Sequence, residues 1–294
     1  AFGGINLCGR VGGGCLRGTP VLCYAGENRR RRTKMKNRAI LVVSFGTTYP
    51  QTLEETIGAI EREIEKAYPE YFVRRCFTSG IVRKVLYQRE GLQIDDVPGA
   101  LERLLEEGVT EVAVQPTHVM HGFEYDKLQS QAAAFTGRFP RLSLGRPLLS
   151  STADYQEVVQ ALRSEFADPL ADPQAALVLM GHGTEHFANA CYAALNDHVR
   201  AAGVRNLFVG AVEGYPEVDD LLIRIKESGA KRVVLAPLMV VAGDHARNDM
   251  AGAGPDSWKS RLESAGYPVT CILKGLGSYR TIRQIYLSHL REIL

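Results

Sequence analysis

From residue 38 onward, short unbroken apolar runs alternate with longer segments whose apolar residues recur every three or four positions. AILVVSF (39–45), FVRRCFT (72–78) and EVAVQPTHV (111–119) read as strands. TLEETIGAIEREIEKAY (52–68) and VPGALERLLEEG (97–108) read as amphipathic helices, the second closed by glycine. Continuous apolar runs suit strands covered on both faces, and their alternation with helices predicts a parallel sheet between helical layers.

The pattern then repeats. AALVLMGHGT (175–184) matches AILVVSFGTT (39–48), each a strand, a small-residue turn and Gly-Thr. RVVLAPLMVVAGDH (232–245) matches EVAVQPTHVMHGFE (111–124), with Pro116 and Gly122 spaced like Pro237 and Gly243. NLFVGAVEGYP (206–216) takes the place of the second strand. The expectation is an α/β chain made by internal duplication, two similar doubly wound halves over 38–150 and 151–294.

Residues 1–37 stand outside this rhythm. They are rich in Gly, Arg and Cys, contain the basic run Arg29–Arg32, and lack the apolar core of about 7–15 residues that a secretory signal needs. We read them as an extension or disordered tail, with Met35 as the biological start. The six cysteines show no C-x-x-C spacing, which excludes a thiolate zinc framework and favours a reducing, cytoplasmic setting. With 35 basic against 33 acidic side chains, nothing points to a nucleic-acid partner. No apolar run is long enough to span a bilayer, and self-association is left open.

The segment GHGTEH (181–186) contains H-x-x-E-H, a zinc-protease pattern that works only on a helix, where one turn brings both histidines to the same face. Here the first histidine follows a buried strand and sits between Gly181 and Gly183, which is turn composition. His182 is therefore expected at a strand tip. Glu213 and His245 follow at intervals of 31 and 32 residues, about one strand–helix unit each. Parallel strands end along one edge, where ligands of open α/β sheets bind. Two imidazoles and a carboxylate on that edge suit a divalent transition metal with open coordination positions. The bland alternative is loop histidines bonded to backbone, and a glutamate facing a helix N-terminus.

Ser44, Gly46 and Thr47, in the turn after the first strand, are candidate substrate contacts, as are His118 and Arg247. His118 and His121 are read as lining the cleft or a subunit contact, with substrate, haem or a second metal as alternatives. Arg83 and Lys84 are further candidates for steering an anion. His198 and His289 lie on amphipathic patterns and are read as surface residues.

LVVSFGTTYPQT, QPTHVMHGFEYDKL, LVLMGHGTEHFAN, VGAVEGYP and PLMVVAGDHARNDMAG together resemble the class II tetrapyrrole chelatases, in particular the anaerobic cobalt chelatases that act on sirohydrochlorin in cobalamin synthesis. The resemblance covers residues 37–294. It implies two α/β halves facing a central cleft, Co²⁺ as bound ion and substrate, sirohydrochlorin as partner, and no nucleotide. It places metal ligation on His182, Glu213 and His245 and suggests His182 as the base that removes pyrrole protons. Insertion of Fe²⁺ or Ni²⁺ into the same tetrapyrrole is an alternative, because ligand type does not separate these ions. A non-catalytic metal or haem carrier is another, because fold alone does not determine function.

Overall fold

A computed structural model describes residues 37–294, and these residues form one compact unit. The expectations for residues 1–36, including Met35 as a start, lie outside the described residues. No helix among the described residues is long and apolar enough to cross a membrane.

The first sheet contains β1 (Arg38–Ser44), β2 (Phe72–Phe77), β3 (Glu111–Pro116) and β4 (Arg141–Leu144). All pair in parallel, in the order β2-β1-β3-β4. The second contains β5 (Ala175–Gly183), β6 (Leu207–Glu213), β7 (Arg232–Pro237) and β8 (Val269–Cys271), again parallel and in the order β6-β5-β7-β8. The repetition extends to single bonds. Pro116 and Pro237 end their strands, and the next amide then bonds the central strand: Thr117 N to Val43 O, 2.8 Å, and Leu238 N to Met180 O, 2.7 Å.

The helices are α1 (Pro50–Glu55), α2 (Ile57–Ala67), α3 (Gly80–Glu90), α4 (Val97–Glu106), α5 (Phe123–Ala133), α6 (Thr152–Glu165), α7 (Ala167–Ala171), α8 (Ala190–Ala201), α9 (Val218–Ser228), α10 (Trp258–Ser264) and α11 (Arg280–Ile293). The helix expected over 52–68 is broken at Thr56, whose hydroxyl donates back to the Thr52 carbonyl. Such back-bonding bends helices. Gly277 packs directly on Thr56, so the bend holds a later loop.

The sequence reading passed over α3, which buries only Val82 and Leu86 and so has almost no apolar stripe. Its boundaries are nevertheless conventional, with the Ser79 hydroxyl accepting from Val82 N and Gly91 left-handed at the end. The edge strands β4 and β8, four and three residues long, also escaped it.

One core runs between the two sheets. It joins Ile40 and Val42 of β1 to Leu177 and Leu179 of β5 through Val158, Leu162, Leu195 and Tyr286 of the helices. Helix α11 crosses back from the second half to the first. Tyr286 Oη donates to the Thr117 carbonyl at 2.8 Å, and Arg283 pairs with Glu63 of α2. His289 is a correction to the surface assignment. It is 2% exposed, and its Nε2 lies 3.0 Å from the buried carboxylate of Asp154. His198 is half-buried and stacks on Tyr155 at 5.1 Å.

Candidate metal centre

In a sheet of order 2-1-3-4, the crossovers leave the first strand in opposite directions, and a crevice opens beyond the C-terminal ends of strands one and three. Both crevices here open into one cavity of ≈ 800 Å³. Its walls are the loops after β1, β3, β5 and β7, with Glu213 from the end of β6.

His182 and Glu213 meet because of strand register. Gly183 pairs with Glu213 across the β5–β6 ladder, which puts the imidazole one residue from the carboxylate's partner position. Gly183 has φ +87°, and a Cβ there would lie 2.4 Å from the Glu213 backbone. Only glycine fits this approach. Asn189 ties the two strand ends together, accepting from Thr184 N and donating to the Tyr215 carbonyl at 2.7 Å.

His245 is not at a strand tip. Strand β7 stops at Pro237, and seven residues, 238–244, separate it from His245. That loop is held by Leu276 N to Met239 O, 2.8 Å, and Gly277 N to Val240 O, 3.0 Å. It ends in a π-helical turn, Ala246–Met250, with His245 at its head. Turns of this kind concentrate at functional sites.

The rings of His182 and His245 stand 4.4 Å apart at 78°, and with Glu213 they offer ligand atoms within 4.8 Å of one another. Their tautomers follow from their partners. His182 Nδ1 is 2.8 Å from the Gly183 carbonyl, which can only accept, so Nδ1 carries the proton. His245 Nδ1 is 2.7 Å from the Asp249 carboxylate. Each ring therefore keeps its Nε2 lone pair, the arrangement in which a partner behind the imidazole orients it for a metal. Metal–ligand arms of about 2.1 Å span ligand atoms up to about 4.2 Å apart, so small side-chain rotations close the site.

His186 does not join them. Its Nδ1 accepts from Ala188 N, so its Nε2 donates to Asp126, 3.2 Å away, and neither nitrogen is free. It heads a short 3₁₀ turn rather than standing one helical turn from His182, which disposes of the protease pattern.

The facing wall comes from the first half. Ser44, Gly46 and Thr47 line the cavity, but their polar groups serve the turn: Thr117 Oγ1 donates to Ser44 Oγ at 2.8 Å, and Thr47 Oγ1 accepts from Tyr49 N. His118 also lines the cavity, and both its ring nitrogens are buried without a partner. Burial lowers its pKa to about 4, against a weaker upward pull from Glu124. Glu124 lines the same wall, with Oε2 buried and unpartnered. An unmatched buried polar group costs about 1–3 kcal/mol, so the two together are a local cost to the fold.

Other candidates are engaged elsewhere. His121 Nε2 is 2.8 Å from Ser150 Oγ, and its ring packs on Tyr125. Arg247 stacks its guanidinium 4.5 Å over the Tyr49 ring, outside the cavity lining. Arg83 pairs with Asp96, and Lys84 is exposed on the same helix. The sequence reading missed Glu124 and Asp249. The repeat carried a signal for the first, because Glu124 is the counterpart of His245 when 111–124 is laid on 232–245. For Asp249, four residues beyond His245 in a turn of unusual pitch, no spacing rule would have sufficed.

Sirohydrochlorin cobaltochelatase of Salmonella typhimurium is 45% identical over 257 residues, covering 87% of this chain and 96% of the relative. Sirohydrochlorin cobaltochelatase CbiKC of Nitratidesulfovibrio vulgaris is 35% identical over 258 residues, covering 87% and 90%. Among solved structures, the sirohydrochlorin chelatase SirB of Bacillus subtilis subspecies spizizenii in complex with cobalt aligns over 87% of this chain and 94% of its own, with TM-score 0.56 and 16% identity. At that identity the likeness speaks for the fold alone. Residues 38–294 match the family described as Cobalt chelatase (CbiK), and the chain belongs to that family.

Proposed function

We propose that this enzyme inserts Co²⁺ into sirohydrochlorin, with His182, Glu213 and His245 holding the ion before transfer. The observation that carries the proposal is the convergence of two imidazoles and one carboxylate, with ligand atoms within 4.8 Å of one another, at the wall of a single large cavity. The relatives named as sirohydrochlorin cobaltochelatases supply the substrate and the reaction.

Three protein ligands hold a divalent ion while leaving positions open for incoming nitrogens. Sirohydrochlorin carries two inner N–H groups and a rim of carboxylates. Insertion strips water from the ion, breaks both N–H bonds and moves the ion from the protein donors to four ring nitrogens. Neutral imidazoles favour that last step, because each ligand exchange leaves an uncharged side chain behind. Glu213 offsets part of the ion's charge while it waits. No phosphate-binding glycine loop with Lys-Ser/Thr occurs in the chain, and the reaction is proposed to proceed without nucleotide.

The test is anaerobic absorbance of sirohydrochlorin with Co²⁺, Fe²⁺ or Ni²⁺, comparing the wild-type chain with His182→Ala and His245→Ala. Protein-dependent metallation that fails in both variants is the expected result, with the highest rate for Co²⁺. Metallation no faster than in buffer would defeat the proposal.

A further inference from the structure

The duplication that relates the two halves also contains one contact built twice. Tyr49 and His186 stand in equivalent loops, after the first strand of each half, and Asp126 and Asp244 both follow the third. Tyr49 Oη donates to Asp244 at 2.6 Å, and His186 Nε2 donates to Asp126 at 3.2 Å. Each time, a ring from the first-strand loop of one half bonds a carboxylate beyond the third strand of the other. Each ring is also covered by a side chain from the same segment as its carboxylate. Arg247 lies 4.5 Å over Tyr49, and Phe123 meets His186 edge-on with centroids 4.8 Å apart. Two unlike sets of residues that arrive at one arrangement point to a demand on the position.

What the two bonds hold is the metal centre. Asp244 immediately precedes His245. His186 closes the loop that starts at His182: its amide donates to Thr184 Oγ1 at 3.1 Å, and Thr184 N in turn donates to Asn189 Oδ1. The loops bearing both imidazoles of the trio are thus fastened to the first half, which contributes no residue to the trio. Tyr49, Asp126 and His186 stand outside the cavity lining, each beside a residue that belongs to it: Thr48, Tyr125 and Glu185. They brace the wall without forming it.

Resting on the ion-holding part of the chelatase reading above, we propose that Tyr49 and Asp126 are positioning residues for the metal centre. From the first half, they fix the loops of His245 and His182 before the ion arrives. Loops free to move would lose that freedom on closing around an ion, and fixing them beforehand removes the cost. Because both bonds cross between the halves, the separation of the cavity walls and the spacing of the two imidazoles are set together. Exposed pairs of this kind add little to overall stability, so their effect falls on metal affinity and not on melting.

The test uses the purified full chain with Tyr49→Phe, Asp126→Ala and the double variant. Glu102→Ala, which breaks an exposed pair with Arg138 outside the cavity lining, is the control. Three quantities are measured: Co²⁺ affinity by direct titration without tetrapyrrole, melting temperature, and KM for sirohydrochlorin at saturating Co²⁺. Loss of a group that bonds a metal ligand directly costs about 10- to 100-fold in affinity. One step further out, Co²⁺ should weaken about 3- to 10-fold in each single variant and about 10-fold or more in the double one. Melting temperature and KM for sirohydrochlorin should match the control. Asp126→Asn keeps an oxygen that accepts from His186 and should return the affinity to near wild type.

Co²⁺ affinity unchanged from the control in the folded double variant would overturn the proposal. So would a KM for sirohydrochlorin raised as far as Co²⁺ affinity falls, because the two residues would then be macrocycle contacts. Should Asp126→Ala fail to fold, Tyr49→Phe, which removes a single oxygen, decides by the same titration. A wild-type chain that binds Co²⁺ but metallates nothing would defeat the chelatase reading alone, since the titration still decides this one. A wild-type chain that binds no Co²⁺ would overturn both.

Discussion

A single missing Cβ decides whether Glu213 can stand beside His182. Gly183 holds φ +87° with the Glu213 backbone 2.4 Å from where a Cβ would sit. Gly183→Ala should destabilise the fold by at least about 1–3 kcal/mol from backbone strain alone, read from urea unfolding, and should weaken Co²⁺ binding by displacing the carboxylate. Asp249 holds the His245 ring, and on the proposed ligand set it would act through that ring rather than on the metal. Removing its carboxylate frees the ring to rotate or change tautomer, so Asp249→Ala should weaken Co²⁺ about 10- to 100-fold in a direct metal titration, with little change in melting temperature. His182 and Glu213 were legible in the sequence because each ends an apolar run, and parallel strands end together. Asp249 was not, because its relation to His245 depends on a turn whose pitch no periodicity announced.

Elements were legible in proportion to how much apolar surface they bury. The central strands β1, β3, β5 and β7 announce themselves as unbroken apolar runs, whereas α3 and the short edge strands β4 and β8 do not. The α6–α11 contact shows how far a pattern can mislead. His289 falls among polar residues in LSHLR, yet in the fold it faces Asp154, which also accepts from the Ser150 and Ser151 amides and from Arg146. Burial alone would raise the Asp154 pKa, but the bonds from Arg146, His289 and Ser151 outweigh it and hold the carboxyl below its ordinary value. A depressed folded-state pKa stabilises above the unfolded value of about 3.9, and that stability disappears as pH falls through the lower folded value. Asp154→Ala should therefore cost about 3–5 kcal/mol near neutral pH in urea unfolding, and the difference from wild type should shrink in acid below about pH 4.

At the scale of the whole molecule, the proposed metal trio lies in the second half, and the wall carrying the buried, unpartnered nitrogens of His118 in the first. An ion held only by the folded trio must stabilise the fold. Co²⁺ at about 100 times its dissociation constant adds about 2.7 kcal/mol, which for a chain of this size raises the melting temperature by roughly 5–10 °C. The rise should vanish in the His182→Ala/His245→Ala double variant, and excess chelator should reverse it in the wild type. A rise that survives in the double variant would locate the ion elsewhere. The two halves also meet at the rim, where Tyr49 Oη donates to Asp244 at 2.6 Å and Arg247 covers the ring. Arg247, expected as an anion contact, is thus engaged in joining the halves beside His245.

Hydrophobic periodicity by itself determined the α/β class, the repeat and the central strands, and it put His182 and Glu213 at neighbouring strand ends, because strand ends and small-residue turns are local properties of a chain. The tertiary structure alone decided the rest. Which lone pairs are free depends on partners far away or in irregular turns, as with the tautomers of His182 and His245. Whether a histidine is bonded, buried or bare depends on what packs against it. Hence His289 and His186 are engaged, while His118, of the same residue type, lines the cavity with both ring nitrogens buried and unpartnered.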